Sequence, residues 1–376
     1  MRASGITGSD GPTDAGSALL IATLLSGVSF YTVVDLIREA ARSRRSSSGQ
    51  TRQGNKTMGM LLNRESVRHT SRALAALGSV VMALFALMIV APAAHAQNRF
   101  TPVAGVTTFE QTFLVSTGRS RRVLYLRPVA APVGKVPVMV VLHYGGGGPE
   151  VMANLIQLGE LVRDTGIWAI LPEASGRAWN HDPRKDSNRS ADDVDLITRV
   201  IDNAVGSFPL DVRRVYMTGF SSGGFMAERY VCEHPERVTA MAYVSSTLLD
   251  TLASTCLLTS ATPTLGMHGT ADGRVSYGDR VGLSSAPDTA RFYAGRNGCL
   301  GAPTRTRLPD IARDGTTVDL DSSTSCSSAK PVRFYTINGG GHTWPGNDLQ
   351  IGARGRITQD IDATRVIWDF VRAYSR

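Results

Sequence analysis

The chain has 376 residues, 42% hydrophobic and 19% charged, with a mean hydropathy of −0.05, so it is long enough for a large buried core and too apolar to remain disordered. Its formal net charge of +8 sits mostly at the N-terminal end, where residues 1–96 carry 10 Lys and Arg against 5 Asp and Glu, while residues 97–376 carry 30 against 27. That near-balanced remainder offers no concentrated basic face for neutralising phosphates, which argues against a nucleic-acid partner.

Residues 18–34 form a first apolar stretch, and residues 38–56 are rich in Arg, Ser and Gln. Arg64, Arg68 and Arg72 then precede a 19-residue apolar run from Ala73 to Ala91, followed by Pro92 and the tripeptide Ala94-His95-Ala96. Over residues 58–96 this is the order of a secretory signal peptide. A membrane helix competes, because such a run nearly spans a hydrocarbon core of about 30 Å, but an anchor has no use for Ala-x-Ala. Export signals begin at the N-terminus, so residues 1–57 are read as a start-site artefact ahead of Met58 or Met60. The alternative is a pair of membrane helices around a basic cytoplasmic loop, which obeys the positive-inside rule. Both readings put residue 97 onward outside the cytoplasm, secreted to the periplasm or the medium, with membrane association only through an uncleaved leader.

From Gln97 the chain shows no repeat and no low-complexity tract, and residues 97–376 suit one α/β domain. Strand-like runs fall at Thr107–Val115, Arg122–Arg127, Val136–His143, Ile167–Pro172, Arg214–Thr218, Val238–Val244, Thr264–His268 and Val332–Ile337. Several are continuous apolar runs, as in buried parallel strands. Helical patterns separate them at Ala191–Val205, with Ser190 placed to cap it, at Ser221–Cys232, at Ala286–Asn297 and at Asp360–Tyr374. The alternation predicts a mostly parallel central sheet with helices on both faces, whose chemistry collects at the carboxyl ends of the strands. Asp192, Asp193 and Asp195 lack the spacing of a calcium loop and read as the acidic start of a helix. The four cysteines have no C-x-x-C spacing and predict disulfides instead of zinc. Cys232 and Cys256 flank the segment after the Ser221 helix, and Cys299 and Cys326 flank a polar excursion, so these are the expected pairs. Nothing in the sequence fixes an oligomeric state.

Arg214–Thr218 runs directly into Gly219-Phe220-Ser221-Ser222-Gly223-Gly224 and then into a helical pattern. Strand, G-x-S-x-G and helix in that order make a nucleophile elbow that lifts the Ser221 hydroxyl above the sheet. A serine hydroxyl is a poor nucleophile without a general base, normally an imidazole oriented by a carboxylate. Three histidines follow Ser221. His234 lies near the far end of the same helix, roughly 20 Å along its axis, and His268 ends a strand, which leaves His342 in the loop Gly339-Gly340-Gly341-His342. Asp272, just past the strand ending at His268, is the first choice of acid, with Asp250 and Asp279 as rivals. Acyl transfer also needs donors for the developing oxyanion. One is expected from the backbone N–H of Ser222, the other from the loop His143-Tyr144-Gly145-Gly146-Gly147-Gly148. Trp179 and Trp344 are candidate walls of a substrate pocket, whereas Trp168 and Trp368 read as core. The steps require no cofactor and no metal.

Taken together, His143 with its glycines, Gly219-Phe220-Ser221-Ser222-Gly223-Gly224-Phe225-Met226-Ala227, His268-Gly269-Thr270-Ala271-Asp272 and Gly341-His342-Thr343-Trp344-Pro345-Gly346 resemble the polyhydroxybutyrate depolymerase family of secreted α/β-hydrolase esterases. The feruloyl and acetylxylan esterases share these motifs. The resemblance covers roughly residues 105–375. It implies an α/β-hydrolase fold and a serine carboxylic-ester hydrolase working through an acyl-enzyme on hydroxyalkanoate oligoesters, with feruloyl or acetylxylan esters as the alternative and peptide hydrolysis less favoured. It gives Ser221, Asp272 and His342 the same parts as the residues themselves do. The family puts Gly directly after the oxyanion-loop His, and here Tyr144 intervenes, which leaves the second donor open between Tyr144 and Gly145.

Overall fold

In chain order the strands of the described residues are β1 (Val106–Leu114), β2 (Ser120–Pro128), β3 (Val136–Leu142), β4 (Trp168–Pro172), β5 (Leu210–Phe220), β6 (Ala240–Val244), β7 (Thr264–Gly269), β8 (Thr304–Arg307), β9 (Thr317–Ser323) and β10 (Val332–Asn338). The helices are α1 (Pro149–Leu155), α2 (Leu158–Thr165), α3 (Asp193–Ser207), α4 (Ser222–Glu233), α5 (Asp250–Thr255), α6 (Ala286–Arg296) and α7 (Ala363–Val371). The computed structural model describes residues 99–176, 178–185, 192–256, 261–347 and 355–376. The leader readings for residues 1–96 lie outside them. Within the described residues no helix is long and apolar enough to cross a membrane.

All ten strands join one sheet in the order β1-β2-β4-β3-β5-β6-β7-β10-β9-β8. From β4 to β10 the neighbours run parallel, while β1, β2, β8 and β9 pair antiparallel at the two ends. This is the mostly parallel α/β-hydrolase sheet that the sequence predicts. Period-two alternation splits the central strands between two cores. Val138, Val140, Leu142, Val215 and Met217 face one core with Ile197 and Val200 of α3 and Met226 and Tyr230 of α4. Met139, Val141 and Tyr216 face the other, with Leu158 and Leu161 of α2 and Ile367 and Phe370 of α7. Each such side chain, fully buried, contributes about 1.5–3 kcal/mol.

The eight strand-like runs all form strands, but β5 extends to Leu210–Phe220, beyond the expected Arg214–Thr218. The cap of α3 is corrected. Asp192 takes that place, accepting from the Asp195 backbone N–H at 2.9 Å, and Ser190 lies outside the described residues. The acids there have separate partners: Asp193 pairs with the buried Arg121 at 2.6 Å and Asp195 with Arg199 at 2.7 Å. They mark the start of a helix, as expected. Trp168 is core, 4% exposed, and Trp368 is partly buried against Tyr216.

Two disulfides join Cys232 to Cys256 and Cys299 to Cys326, across separations of 24 and 27 residues. The first ties the far end of α4 to the end of α5, and the second closes the β8–β9 excursion. Loops of this size predict a loss of about 3 kcal/mol in unfolding free energy when either pair is replaced by alanine. Urea denaturation of the two double variants measures it, and a loss under about 1 kcal/mol in either would show that other contacts already close that loop.

Candidate active site

β5 carries the chain to a turn that few residues tolerate. Ser221 sits at φ 56°, ψ −119°, between the strand and α4, a conformation that costs a residue with a β-carbon on the order of 1–3 kcal/mol. Neighbouring backbone over-determines it: the Ser221 N–H donates to the Val244 carbonyl at 2.9 Å, and its carbonyl accepts from the Phe225 N–H at 3.1 Å. A β-carbon at Gly219 would run into the Gly223 carbonyl, and one at Gly223 into the Leu142 carbonyl. The two glycines therefore let strand and helix cross in backbone contact, with β3 packed directly beneath.

β7 and β10 are parallel neighbours, with Gly269 opposite Ile337, so the loops that follow them leave the sheet side by side. They are stitched together by bonds from the Thr270 N–H to the Ile337 carbonyl at 2.9 Å, from the Ala271 N–H to the Gly340 carbonyl at 2.9 Å, and from the Gly339 N–H to Thr270 Oγ1 at 2.8 Å. This brings His342 Nδ1 to 2.7 Å from Asp272 Oδ2 and His342 Nε2 to 2.9 Å from Ser221 Oγ. The His342 ring is 2% exposed and stacks on Phe220 at 5.1 Å. The other Asp272 oxygen accepts from the backbone N–H groups of Arg274 and Val275 at 2.8 and 2.9 Å. Burial works to raise the Asp272 carboxyl, but His342 and these N–H donors outweigh it and hold the group below its ordinary value. An ionised Asp272 accepts a hydrogen bond from His342 Nδ1–H, leaving the Nε2 lone pair for the serine hydroxyl.

The rivals sit elsewhere. Asp250 begins α5 and lies 3.5 Å from Ser284 Oγ, and Asp279 accepts from the Ser285 N–H at 3.2 Å. His234 caps the far end of α4, bonded to the Tyr230 carbonyl. His268 lies behind Asp272, fully buried, with Nε2 at 2.9 Å from the Val275 carbonyl and 3.4 Å from Asp272 Oδ2. Burial pulls its pKa down. A neutral ring has one N–H, and the nearer Val275 carbonyl takes it, which pins the turn that holds Asp272.

The glycine-rich loop after β3 is fixed by two side chains. His143 Nε2 accepts from the Ala174 N–H at 3.0 Å, so its proton is on Nδ1, which donates to the Tyr144 carbonyl at 2.9 Å. Burial lowers the pKa of this ring as well. Trp179 Nε1 donates to the His143 carbonyl at 2.8 Å, and the Trp179 backbone N–H donates to Ser222 Oγ at 3.1 Å. The Tyr144 ring turns inward against Phe220 and lies under Gly147, where a β-carbon would come within 2.9 Å of it. Gly145 is exposed, and Ser222 opens the first turn of α4.

The expectation that Trp179 and Trp344 wall a pocket is not what the structure shows. Both are buried, 3% and 2% exposed. Trp344 Nε1 donates to Thr364 Oγ1 of α7 at 3.0 Å, and its ring meets Phe220 edge-on. An indole that has its N–H satisfied inside and almost no exposed face fills volume beneath the loops. The sequence marks His143 only by its place at the end of a buried strand ahead of four glycines. Trp179→Phe removes the bond to the His143 carbonyl, and the expected cost is about 1–3 kcal/mol of stability with turnover reduced several-fold and KM unchanged. A KM increase at constant turnover would mark Trp179 as a substrate contact instead.

No family model matches the chain. Among curated proteins it is 32% identical over 284 residues to "Putative esterase NocK" of Nocardia uniformis subsp. tsuyamanensis, a match spanning 68% of this chain and 81% of that protein. It is 26% identical over 211 residues to feruloyl esterase B of Piromyces equi, across 53% of this chain but only 34% of that protein. Among solved structures, the acetyl xylan esterase from Aspergillus awamori superposes with a TM-score of 0.49 at 14% identity, covering 62% of this chain and 94% of that one. On the extent of the first match, the chain belongs to the esterase family of α/β-hydrolases that is related to the feruloyl and acetylxylan esterases.

Proposed function

We propose that this esterase is a serine carboxylic-ester hydrolase in which Ser221 is the nucleophile, His342 the general base and Asp272 the acid that orients it. The single observation that carries the reading is the unbroken line from Ser221 Oγ through His342 to Asp272, with contacts of 2.9 and 2.7 Å. In the first half-reaction His342 Nε2 takes the hydroxyl proton as Ser221 Oγ attacks the ester carbonyl. The carbonyl oxygen becomes an oxyanion, for which the Ser222 backbone N–H and an N–H from Tyr144 or Gly145 are the proposed donors, each worth about 3 kcal/mol. The alcohol leaves with the proton from Nε2, and Ser221 remains acylated. Water then repeats the sequence, giving up a proton to His342 and releasing the acid. Every group used is a protein side chain, a backbone N–H or water.

For the substrate, the names of the sequence relatives favour feruloyl esters over the hydroxyalkanoate oligoesters that the motifs alone put first, with acetylxylan esters as the alternative. Two disulfides suit an oxidising compartment, which supports action outside the cytoplasm, on extracellular or periplasmic esters.

Ser221→Ala is expected to lower kcat/KM by several orders of magnitude with unchanged folding, and Asp272→Asn by a factor on the order of 10⁴, the loss known for the corresponding change in a serine protease. Asp250→Asn and Asp279→Asn should stay within a few-fold of wild type. If either collapses while Asp272→Asn stays active, the acid is misassigned. For the substrate, kcat/KM is compared for methyl ferulate, acetylated xylan and short 3-hydroxybutyrate oligomers. The expected order puts one of the first two ahead by at least about tenfold, and the reverse order would restore the polyester reading.

A further inference from the structure

Outside the Ser221–His342–Asp272 line, Asp193 and Glu228 are carboxyls wholly enclosed, and of the two Asp193 has Arg121 as its partner. Glu228 lies two turns along α4 from Ser221 and is 1% exposed. One carboxyl oxygen meets Ser246 Oγ at 2.8 Å, and the other, Oε2, is buried with no partner. The hydroxyls of Tyr243 on β6 and Tyr293 on α6 are likewise buried and unpartnered. Both tyrosines are pushed well above their ordinary range by burial and then by the Glu228 charge, so they stay neutral at any working pH. Among the described residues no cation answers Glu228. Its neighbour Arg229 turns away to the Asn180 carbonyl and Glu233, and His268, reached through Ser246, is held toward its neutral form.

Ser246 is what makes this burial consequential. A β-carbon on Gly224 would strike Ser246 Oγ, so that hydroxyl packs against the first turn of α4 while bonding Glu228 on the second. The segment carrying Ser246 is tied to β7 by the Ser245 N–H, which donates to the Met267 carbonyl at 2.9 Å, and the Ser246 carbonyl lies against the His268 ring, whose one N–H goes to Val275 and pins the Asp272 turn.

We propose that Glu228, in its neutral form, is a positioning residue: through Ser246 it braces the turn carrying Ser221 and Ser222 against the strand end from which Asp272 hangs. The inference rests on the catalytic roles proposed above. A protonated carboxyl supplies one donor and keeps acceptor capacity, which suits a buried group bonded to the Ser246 hydroxyl. An ionised one would be a buried charge with no cation, which forces rearrangement around it. Burial, only partly opposed by the Ser246 bond, pushes this carboxyl up to about 8, so the brace is intact at neutral pH and is lost as pH rises through that value. Stability follows the same sign. The unfolded chain releases this proton near the usual glutamate value and the folded chain only near 8, so the contribution of Glu228 to stability is fully present below the unfolded value and falls across that interval.

The test is kcat/KM for 4-nitrophenyl acetate from about pH 6 to pH 9.5, blank-corrected, for wild type, Glu228→Gln and Glu228→Ala, with Ser221→Ala as control. Wild type should lose activity above an apparent pKa near 8, by up to about tenfold per pH unit. Glu228→Gln, neutral and of the same shape, should lack that limb and remain within about threefold of wild type near pH 7. Glu228→Ala should lower kcat about tenfold or more with KM within about twofold, as expected for lost positioning. Superimposed alkaline limbs for wild type and Glu228→Gln would overturn the brace while leaving the catalytic reading standing. Full activity in Ser221→Ala would sink the catalytic reading, and the brace with it.

Discussion

The φ of 56° at Ser221 is the constraint on which the site depends. A residue held in that region does not stay there by preference, so the surroundings must make every alternative worse. They do so with backbone, which cannot swing aside. Val244 and Phe225 fix the two peptide groups, and the Gly219, Gly223 and Leu142 main chains lie in mutual contact. Three consecutive neighbours in the sheet, β3, β5 and β6, therefore converge on one residue. Any change that separates them releases the strain by letting Ser221 fall back from the surface.

The other two groups are positioned by a different device. Asp272 and His342 hang from adjacent parallel strands in register, and three bonds lace their loops together before either side chain is considered. Electrostatics then sorts the ionisable groups. Asp272, with several donors, is held as the anion, while His143 and His268, buried among carbonyls, are held toward neutrality. Glycines serve opposite ends in the two halves of the site. At the elbow they admit a backbone crossing, and in the loop after β3 Gly147 leaves room for the Tyr144 ring that anchors the loop from below.

Much of this could be read from the sequence because the central strands are continuous apolar runs and the elbow and the two loops are short, contiguous motifs. What escaped notice had weak or no local signal. α1 and α5 have 7 and 6 residues, too short for a helical period to show. β8 reads Thr-Arg-Thr-Arg with every residue exposed, and it holds its place through Arg305 and Arg307 paired across the ladder with Asp321 and Asp319. Ser190 and Asp192 are both good caps, and only tertiary context, including the bond between Ser116 and Asp192, separates them. The tryptophans misled because an aromatic next to a catalytic motif looks the same in sequence whether it faces the ligand or the core. Glu228 carried no motif at all, since its meaning comes from residues on β6 and α6 that surround it only after folding.

The distances along the chain between the three side chains have a consequence for how the protein reaches its native state. The bond between His342 and Asp272 closes a separation of 70 residues, and that between His342 and Ser221 one of 121. Such closures are paid in chain entropy before any contact rewards them, and sheets built from non-local pairings form slowly for that reason. Helices α3 and α4 are complete within stretches of 15 and 12 residues and can form early. The docking of β10 beside β7, which delivers His342, has to await the intervening α6 and the β8–β9 excursion. Recovery of enzymatic turnover on refolding thus reports the final closure of the sheet, and far-ultraviolet ellipticity, which follows the helices, should recover first.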